Sequence, residues 1–441
     1  MMKISEMPKY EVYKDSGVEW LGDIPASWSL LANKHIFRLK KKQVGKRSSE
    51  YDLLSLTLRG VIKRDMENPE GKFPAEFDTY QEVQCGDFIF CLFDVEETPR
   101  TVGLSPFNGM ITGAYTVFEL NDNFDNRFLY YFYMNLDAKK MLKPLYRGLR
   151  NTIPKDSFLS FKTFVPPHEQ QTRIANYLDK KTALIDEAIS IKEKQISLLK
   201  ERKQIIIQQA VTQGLDPNVP MKDSGVDWIG DIPEHWEVVP LKRLAVLSPS
   251  VKVSNRKSKE LVTFLAMEKV STDGFIDQDT LMPICDVSQG FTVFNRGDVI
   301  VAKITPCFEN GKSAWLNNLQ TEFGYGSTEF HVLRCGQRII GSFLYLIVSS
   351  PLFLNAGEAM MTGSAGQKRV PSSFIQNFPT AIPGVAEQEK IVSKVKELFS
   401  QIDVVVASTV NQIEKLKEYK TTLINSAVTG KIKITPEMVE Q

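Results

Sequence analysis

"YLDKKTALIDEAISIKEKQISLLKERKQIIIQQAVT", residues 177–212, returns 217 residues later as "KVKELFSQIDVVVASTVNQIEKLKEYKTTLINSAVT", residues 394–429. No gap is needed between the two. Ile185-Asp186 falls on Ile402-Asp403, Leu199-Lys200-Glu201 on Leu416-Lys417-Glu418, and Ala210-Val211-Thr212 on Ala427-Val428-Thr429. Neither stretch contains proline or glycine, so each predicts one long uninterrupted helix. Apolar residues advance by fours and threes: Leu178, Ile185, Ile189, Ile196, Leu199, Ile206 and Ala210 in the first, Val395, Phe399, Ile402, Val406, Ile413, Leu416, Leu423 and Ala427 in the second. A 3.5-residue period is a coiled-coil seam. Gly214 and Gly430 stop the helices, with Lys431 and Lys433 just beyond the second stop. A helix of about 40 residues is about 60 Å long. Such a rod must bury its seam against a partner, and the other copy is the natural one.

A second, shorter repeat stands ahead of each block. "DSGVEWLGDIPASW" (15–28) returns as "DSGVDWIGDIPEHW" (223–236), identical at ten of fourteen positions. These segments hold Trp20, Trp28, Trp228 and Trp236, and Gly-Asp-Ile-Pro reads as a turn between the tryptophans. The tryptophans are expected to pack, or to dock a partner protein. Base stacking is disfavoured because the segment is the same where the intervening blocks differ.

Those blocks share a skeleton. Each has a strand opened by Gly-Asp, "CGDFIFCLF" (85–93) and "RGDVIVAKI" (296–304), then an alternating strand, "TGAYTVFEL" (112–120) and "YGSTEFHVL" (325–333). An apolar helix containing Phe-Leu-Tyr follows, at 128–130 and 343–345, then a glycine loop, "GLRNTIP" (148–154) and "GQKRVP" (366–371). The expected organisation is a repeat segment (1–28), a domain (29–168), a long helix (169–214), a linker with the second repeat segment (215–236), a second domain (237–386), the second long helix (387–430) and a tail (431–441). The fold class is α+β: two mixed α/β domains joined by two long antiparallel coiled-coil helices with a pseudo-two-fold axis.

Two matched basic runs open the domains. "RLKKKQVGKR" (38–47) supplies Lys40, Lys41, Lys42, Lys46 and Arg47, and "KVSNRKSK" (252–259) supplies Lys252, Arg256, Lys257 and Lys259. The glycine loops add Arg147, Arg150, Lys368 and Arg369. Lysine and arginine neutralise phosphates, and arginine also reads base edges. Half-site readers on a symmetric frame sit about one DNA turn, or a multiple of it, apart, which is the scale of the rod. Divergent domain loops imply two different half-sites.

No catalytic constellation appears. "ENGKS" (309–313) looks like the end of a phosphate loop, but Pro306 stands where that loop needs glycine. His35, His168, His235 and His331 have neither metal spacing nor an adjacent nucleophile. The net charge of +1 names no partner by itself. Five cysteines without a C-x-x-C pair read as reduced thiols and point to a cytoplasmic protein, and no run approaches the length of a membrane span.

The doubled "SGVEWLGDIP" openings, the helix starts Gln170-Gln171 to Ile174 and Glu387-Gln388 to Ile391, and the "AVTxG" endings together resemble a specificity subunit of a type I restriction–modification system. The resemblance covers essentially the whole chain. It implies two target-recognition domains, each binding one half of a bipartite asymmetric DNA site. The helices would set the spacer and dock two modification subunits. It places S-adenosylmethionine, ATP and Mg2+ on partner subunits, restriction subunits among them, and no cofactor, metal or catalytic residue in this chain. The family has no universal base-contacting residues to carry over. The alternative reading is a non-catalytic coiled-coil scaffold with two protein-binding heads.

Overall fold

The computed structural model describes residues 3–17, 22–65, 77–251, 256–364 and 366–440. Helices and strands alternate through a mixed α+β chain, in which two helices dominate: His168–Thr212, of 45 residues, and Val385–Val428, of 44. The chain parts into two compact units, Met1–Lys192 with Asn411–Gln441, and Glu193–Val410. Each unit therefore takes a portion of both helices.

In the first unit the helix portions run antiparallel. Asp186 accepts from Lys420 Nζ at 2.6 Å and Gln412 Oε1 from Lys192 Nζ at 2.5 Å. In the second unit Lys203 Nζ meets Asp403 at 2.5 Å and lies 4.8 Å from the Phe399 ring centroid. None of the seam residues expected from the period is exposed. The steps missing from the apolar pattern are filled by polar side chains: Thr182, Lys192 and Lys203 in the first helix, Thr409 and Lys420 in the second, with Thr182 and Thr409 buried. Lysine can occupy such a position because its alkyl stem packs while its ammonium reaches out. Lys203 and Lys420 are equivalent under the 217-residue offset, and so are Asp186 and Asp403. Each lysine thus meets the aspartate of the other copy. With one partner more than half exposed in each pair, either is worth only about 0.2–1 kcal/mol. Their value lies in penalising any other register.

The repeat segments form matching hairpins, Tyr13–Asp15 with Asp23–Pro25 and Met221–Asp223 with Asp231–Pro233. Asp-Ile-Pro is the returning strand and not the expected turn. The reversal falls before it, and Gly22 and Gly230 take φ of +67° and +72° at its end. The alternation then buries Ile24 and Ile232. Trp28 and Trp236 are fully buried, each against the left-handed glycine that ends a long helix: Gly430 for Trp28, Gly214 for Trp236. In the second unit the segment follows that glycine in sequence. In the first it comes from the other end of the chain, where Tyr13 donates its hydroxyl to Gly430 O and Lys433 N–H bonds Pro8 O.

Trp236 also donates Nε1–H to Glu387 at 3.1 Å, whereas Trp228 is 42% exposed and packs at a tilt against Phe378. Trp20 lies outside the described residues. Trp236→Ala is expected to cost about 3–5 kcal/mol, and Trp228→Ala much less. Chemical denaturation of the two variants checks this, and equal losses would contradict the packing role.

Both blocks between the repeats build the same frame. A strand at each start pairs with one at each end, Ser29–Ala32 with Lys162–Val165 and Glu237–Pro240 with Pro379–Ile382. Beside it stands an antiparallel four-stranded sheet. Its order is Phe37–Leu39, Thr116–Leu120, Phe88–Phe90, Val102–Leu104 in one block and Ala245–Leu247, Phe330–Cys335, Val299–Ala302, Ser313–Trp315 in the other. The Phe-Leu-Tyr helices are Asn126–Ala138 and Gly341–Val348. What hangs on the frame differs. The first block adds the hairpin Leu54–Thr57/Gly60–Lys63 and the pair Gln81–Val83/Gly109–Ile111. The second adds a four-stranded mixed sheet in which Leu261–Leu265 and Phe323–Gly326 are parallel. Residues 325–333 are therefore not the single strand their alternation suggests: Phe323–Gly326 belongs to this added sheet and Phe330–Cys335 to the frame.

Candidate nucleic-acid interface

The Gly-Asp pairs that open a central strand in each block turn out to be architectural. Gly86 and Gly297 sit at φ +95° and +92°, where a side chain is strained. Asp87 and Asp298 are buried, and each accepts the backbone N–H of the residue three before it, Gln84 or Asn295, at 2.7 Å. A buried carboxylate needs a cationic partner. Asp298 has Arg334, which donates twice at 2.8 Å; Asp87 has Lys40 at 2.7 Å. Lys40 is itself only 11% exposed. This corrects the expectation for Lys40 as an exposed phosphate contact: its charge is committed inside the fold.

The rest of the first basic run lies along the edge of Gln81–Val83, held by Glu82 N–H to Lys42 O and Val44 N–H to Tyr80 O. Lys42 pairs with Glu82 at 2.9 Å and holds that carboxyl below the usual carboxylate range. Lys41, Lys46 and Arg47 are exposed and form no ion pair among the described residues. In the second run Arg256 is tied to Glu260 and Glu322, Lys257 and Lys259 are exposed, and Lys252 lies outside the described residues.

The two glycine loops occupy the same place, clipped to the far end of that central strand. Ile153 N–H bonds Leu92 O and Asp94 N–H bonds Arg150 O; Val370 N–H bonds Lys303 O and Thr305 N–H bonds Lys368 O. Each is locked by one arginine on a carboxylate: Arg150 reaches Asp94 at 3.1 and 2.5 Å, and Arg369 reaches Glu329 at 2.9 Å through two nitrogens. Each arginine holds its carboxylate below the usual range. Arg147 and Lys368 remain exposed, and among the described residues the Arg147 guanidinium bonds the carbonyls of Pro144 and Tyr146. In the first unit the basic run meets the strand's beginning at Asp87 and the loop its end at Asp94. The basic run and the loop therefore meet opposite ends of this strand.

Residues 102–201 match the family model described as the type I restriction modification DNA specificity domain. The chain is 38% identical over 199 residues to the EcoAI specificity subunit of Escherichia coli, covering 44% of this chain and 33% of that one, and 36% identical over 197 residues to the EcoEI specificity subunit. Over these spans the chain is similar to type I restriction specificity subunits. Its alignments span about a third of the length of those two relatives. A third relative, the MjaVIII specificity subunit of Methanocaldococcus jannaschii, is 24% identical over 316 residues, 69% of this chain and 70% of that one. Two solved structures share the fold. One, at TM-score 0.67 and 13% identity, covers 92% of this chain and 98% of its own, and comes from work on complex assembly and conformational transition of the type I R-M system. The other is the HsdS subunit from Thermoanaerobacter tengcongensis, at TM-score 0.51 and 14% identity, covering 93% and 98%.

In this chain no described helix is long and apolar enough to cross a membrane, and no described group of His, Cys, Asp and Glu could hold a metal. The structure adds residues to the surface that charge runs did not flag. Arg100 donates to Leu58 O and to the Tyr130 hydroxyl, which brings the hairpin tip Leu58-Arg59 beside the 94–100 loop. Its only sequence signal is the two-residue interval between two short strands.

Proposed function

We propose that this chain is the DNA sequence-recognition subunit of a type I restriction–modification enzyme. Each block binds one half of a bipartite asymmetric site. The long helices act as an antiparallel coiled coil with pseudo-two-fold symmetry, set the spacer and dock two modification subunits. In this reading the chain is cytoplasmic and non-catalytic. S-adenosylmethionine sits on the modification subunits, and ATP and Mg2+ serve the restriction subunits.

The observation that carries it is one frame built twice, with different additions on each copy. A scaffold with two equivalent protein-binding heads would have no need of divergent additions, whereas two different half-sites require them. The first helix also carries Leu184, Ile191, Leu198 and Ile205, seven residues apart and 50–62% exposed. That line supports a docked partner helix. Mapping methylated adenine in a host genome with and without this subunit tests the proposal. A single bipartite motif that vanishes with the subunit supports it, and an unchanged methylome refutes it.

The exposed cations of the first run give a sharper expectation. Lys41→Ala, Lys46→Ala and Arg47→Ala together should weaken binding to every sequence alike. The log–log salt slope should flatten by about two to three units, near 0.9 per lost phosphate contact. Lys40→Ala should instead leave the slope alone and destabilise the fold by a few kcal/mol, since it strands a buried carboxylate. Filter binding across a salt series and thermal melts separate the two. A slope unmoved by the triple change removes this run from the interface.

A further inference from the structure

Among the described large apolar side chains, Leu149 stands apart: it is 104% exposed, against at most 68% for any other. A single exposed leucine ordinarily needs no explanation. This one sits at the tip of a loop braced from every side. Arg147 and Thr152 exchange both backbone hydrogen bonds across it, at 2.8 and 3.1 Å. Gly148 and Asn151 turn it at φ +68° and +43°, flanking the leucine. Arg150 locks it to Asp94 and covers the Phe93 ring at 5.9 Å. The fold thus holds an apolar side chain out into water beside the exposed guanidinium of Arg147.

A second tip shares the design. Leu58 is 66% exposed, next to exposed Arg59, in a two-residue turn closed by Thr57 Oγ1 on Gly60 O at 3.0 Å. Arg100 ties Leu58 O to the 94–100 loop, whose other side holds Arg150 through Asp94. Two exposed leucines, each beside an arginine, therefore flank one loop of the first unit. In the second unit the corresponding glycine loop is braced in the same way by Arg369 but has no large apolar residue between Gly363 and Lys368.

Apolar wedges on cationic loops are how proteins part stacked base pairs, the cations holding phosphates while the wedge fills the opened step. Resting on the DNA-recognition reading, we infer that Leu149 inserts between base pairs of the first half-site, with Leu58 as a secondary contact at its border. The second half-site has no equivalent wedge from its glycine loop. Opening the stack next to a base that must leave the helix to be modified lowers the cost of extruding it.

The test uses the full chain with its modification subunits and duplexes carrying the methylated motif, with 2-aminopurine placed at successive steps of either half-site. For the native complex, fluorescence should rise at one step in the first half-site facing Leu149. Leu149→Ala should abolish that rise and weaken specific binding about tenfold to a hundredfold, leaving binding to unrelated DNA unchanged. Leu149→Met should restore both, because it refills the step. Melting curves of both variants should match the native chain, since the side chain is fully exposed. Equal fluorescence in native and Leu149→Ala complexes overturns the inference. So does a loss confined to assembly with the modification subunits, which would make Leu149 a protein contact. Failure of the DNA reading itself shows differently, as a native complex with no preference for the motif duplex.

Discussion

Adding one heptad to each long helix, after Ala188 and after Val405, should move the two half-sites about three base pairs further apart without changing a base in either. Seven residues keep an apolar seam in phase, because seven is its repeat. The rise of about 1.5 Å per residue lengthens each helix by about 10 Å, and three base-pair steps of DNA cover the same distance. The insertion points are favourable for a structural reason. Asp186 precedes Ala188 and Asp403 precedes Val405, while Lys203 and Lys420 follow them. Both reciprocal pairs, Lys420 with Asp186 and Lys203 with Asp403, therefore survive the double insertion. Four inserted residues should rotate the apolar face away and lose assembly. Seven in one helix alone should weaken binding without producing a clean new spacing. The measurement is the methylated motif in cells carrying the double insertion. An unchanged spacer would mean that the helices do not set the distance.

The second large effect concerns half of the chain. Residues 1–220 hold one repeat segment, one block and one long helix, ending beyond Gly214. Because Lys203 is equivalent to Lys420 and Asp186 to Asp403, the first helix is complementary to itself. In a dimer of the fragment, Lys203 of one copy meets Asp186 of its partner, twice. Trp28 of one copy would find Gly214 in place of Gly430, as Trp236 does in the intact chain. The fragment should dimerise and, with modification subunits, methylate a symmetric site made of the first half-site and its inverted copy. Lys203→Asp alone opposes like charges at two places and should weaken the dimer by tenfold or more. Lys203→Asp with Asp186→Lys should restore it. Light scattering reads the dimer and sequencing the motif. A fragment that stays monomeric even with modification subunits sinks the self-pairing idea.

The basic residues show how far charge runs can be read without coordinates. Runs such as Lys40-Lys41-Lys42 are visible in the chain, but the division of labour within them is not. Lys40 is drawn inward by Asp87, 47 residues away, and Lys42 is partly engaged by Glu82, while Lys41 stays exposed between them. The run leaves the strand Phe37–Leu39 there: Lys40 N–H bonds Val117 O and Lys42 O accepts from Glu82 N–H, so neighbouring lysines lie against different strands. The same holds for the loops. Arg150 and Arg369 look like free cations in sequence, but each is the brace that holds its loop to a carboxylate. The hairpin tip at Leu58 carried no motif, since its meaning depends on Arg100 reaching it from the 94–100 loop.

Repetition and period were enough to mark the two long helices, the strand frame common to both blocks and the likeness to specificity subunits. Periodicity and repetition are local properties, and a period of 3.5 residues dictates which face must be buried whatever lies opposite. What lies opposite that face depends on the fold. It half-buried Lys203 and Lys420, which composition alone would leave on the surface, because each finds an aspartate from the other copy within reach. It seated the N-terminal repeat segment on Gly430 at the far end of the chain, an arrangement with no signal in linear order. And it turned the Gly-Asp pairs from strand markers into buried, cation-balanced turns, since the cost of burying a carboxylate depends on a partner brought by the fold.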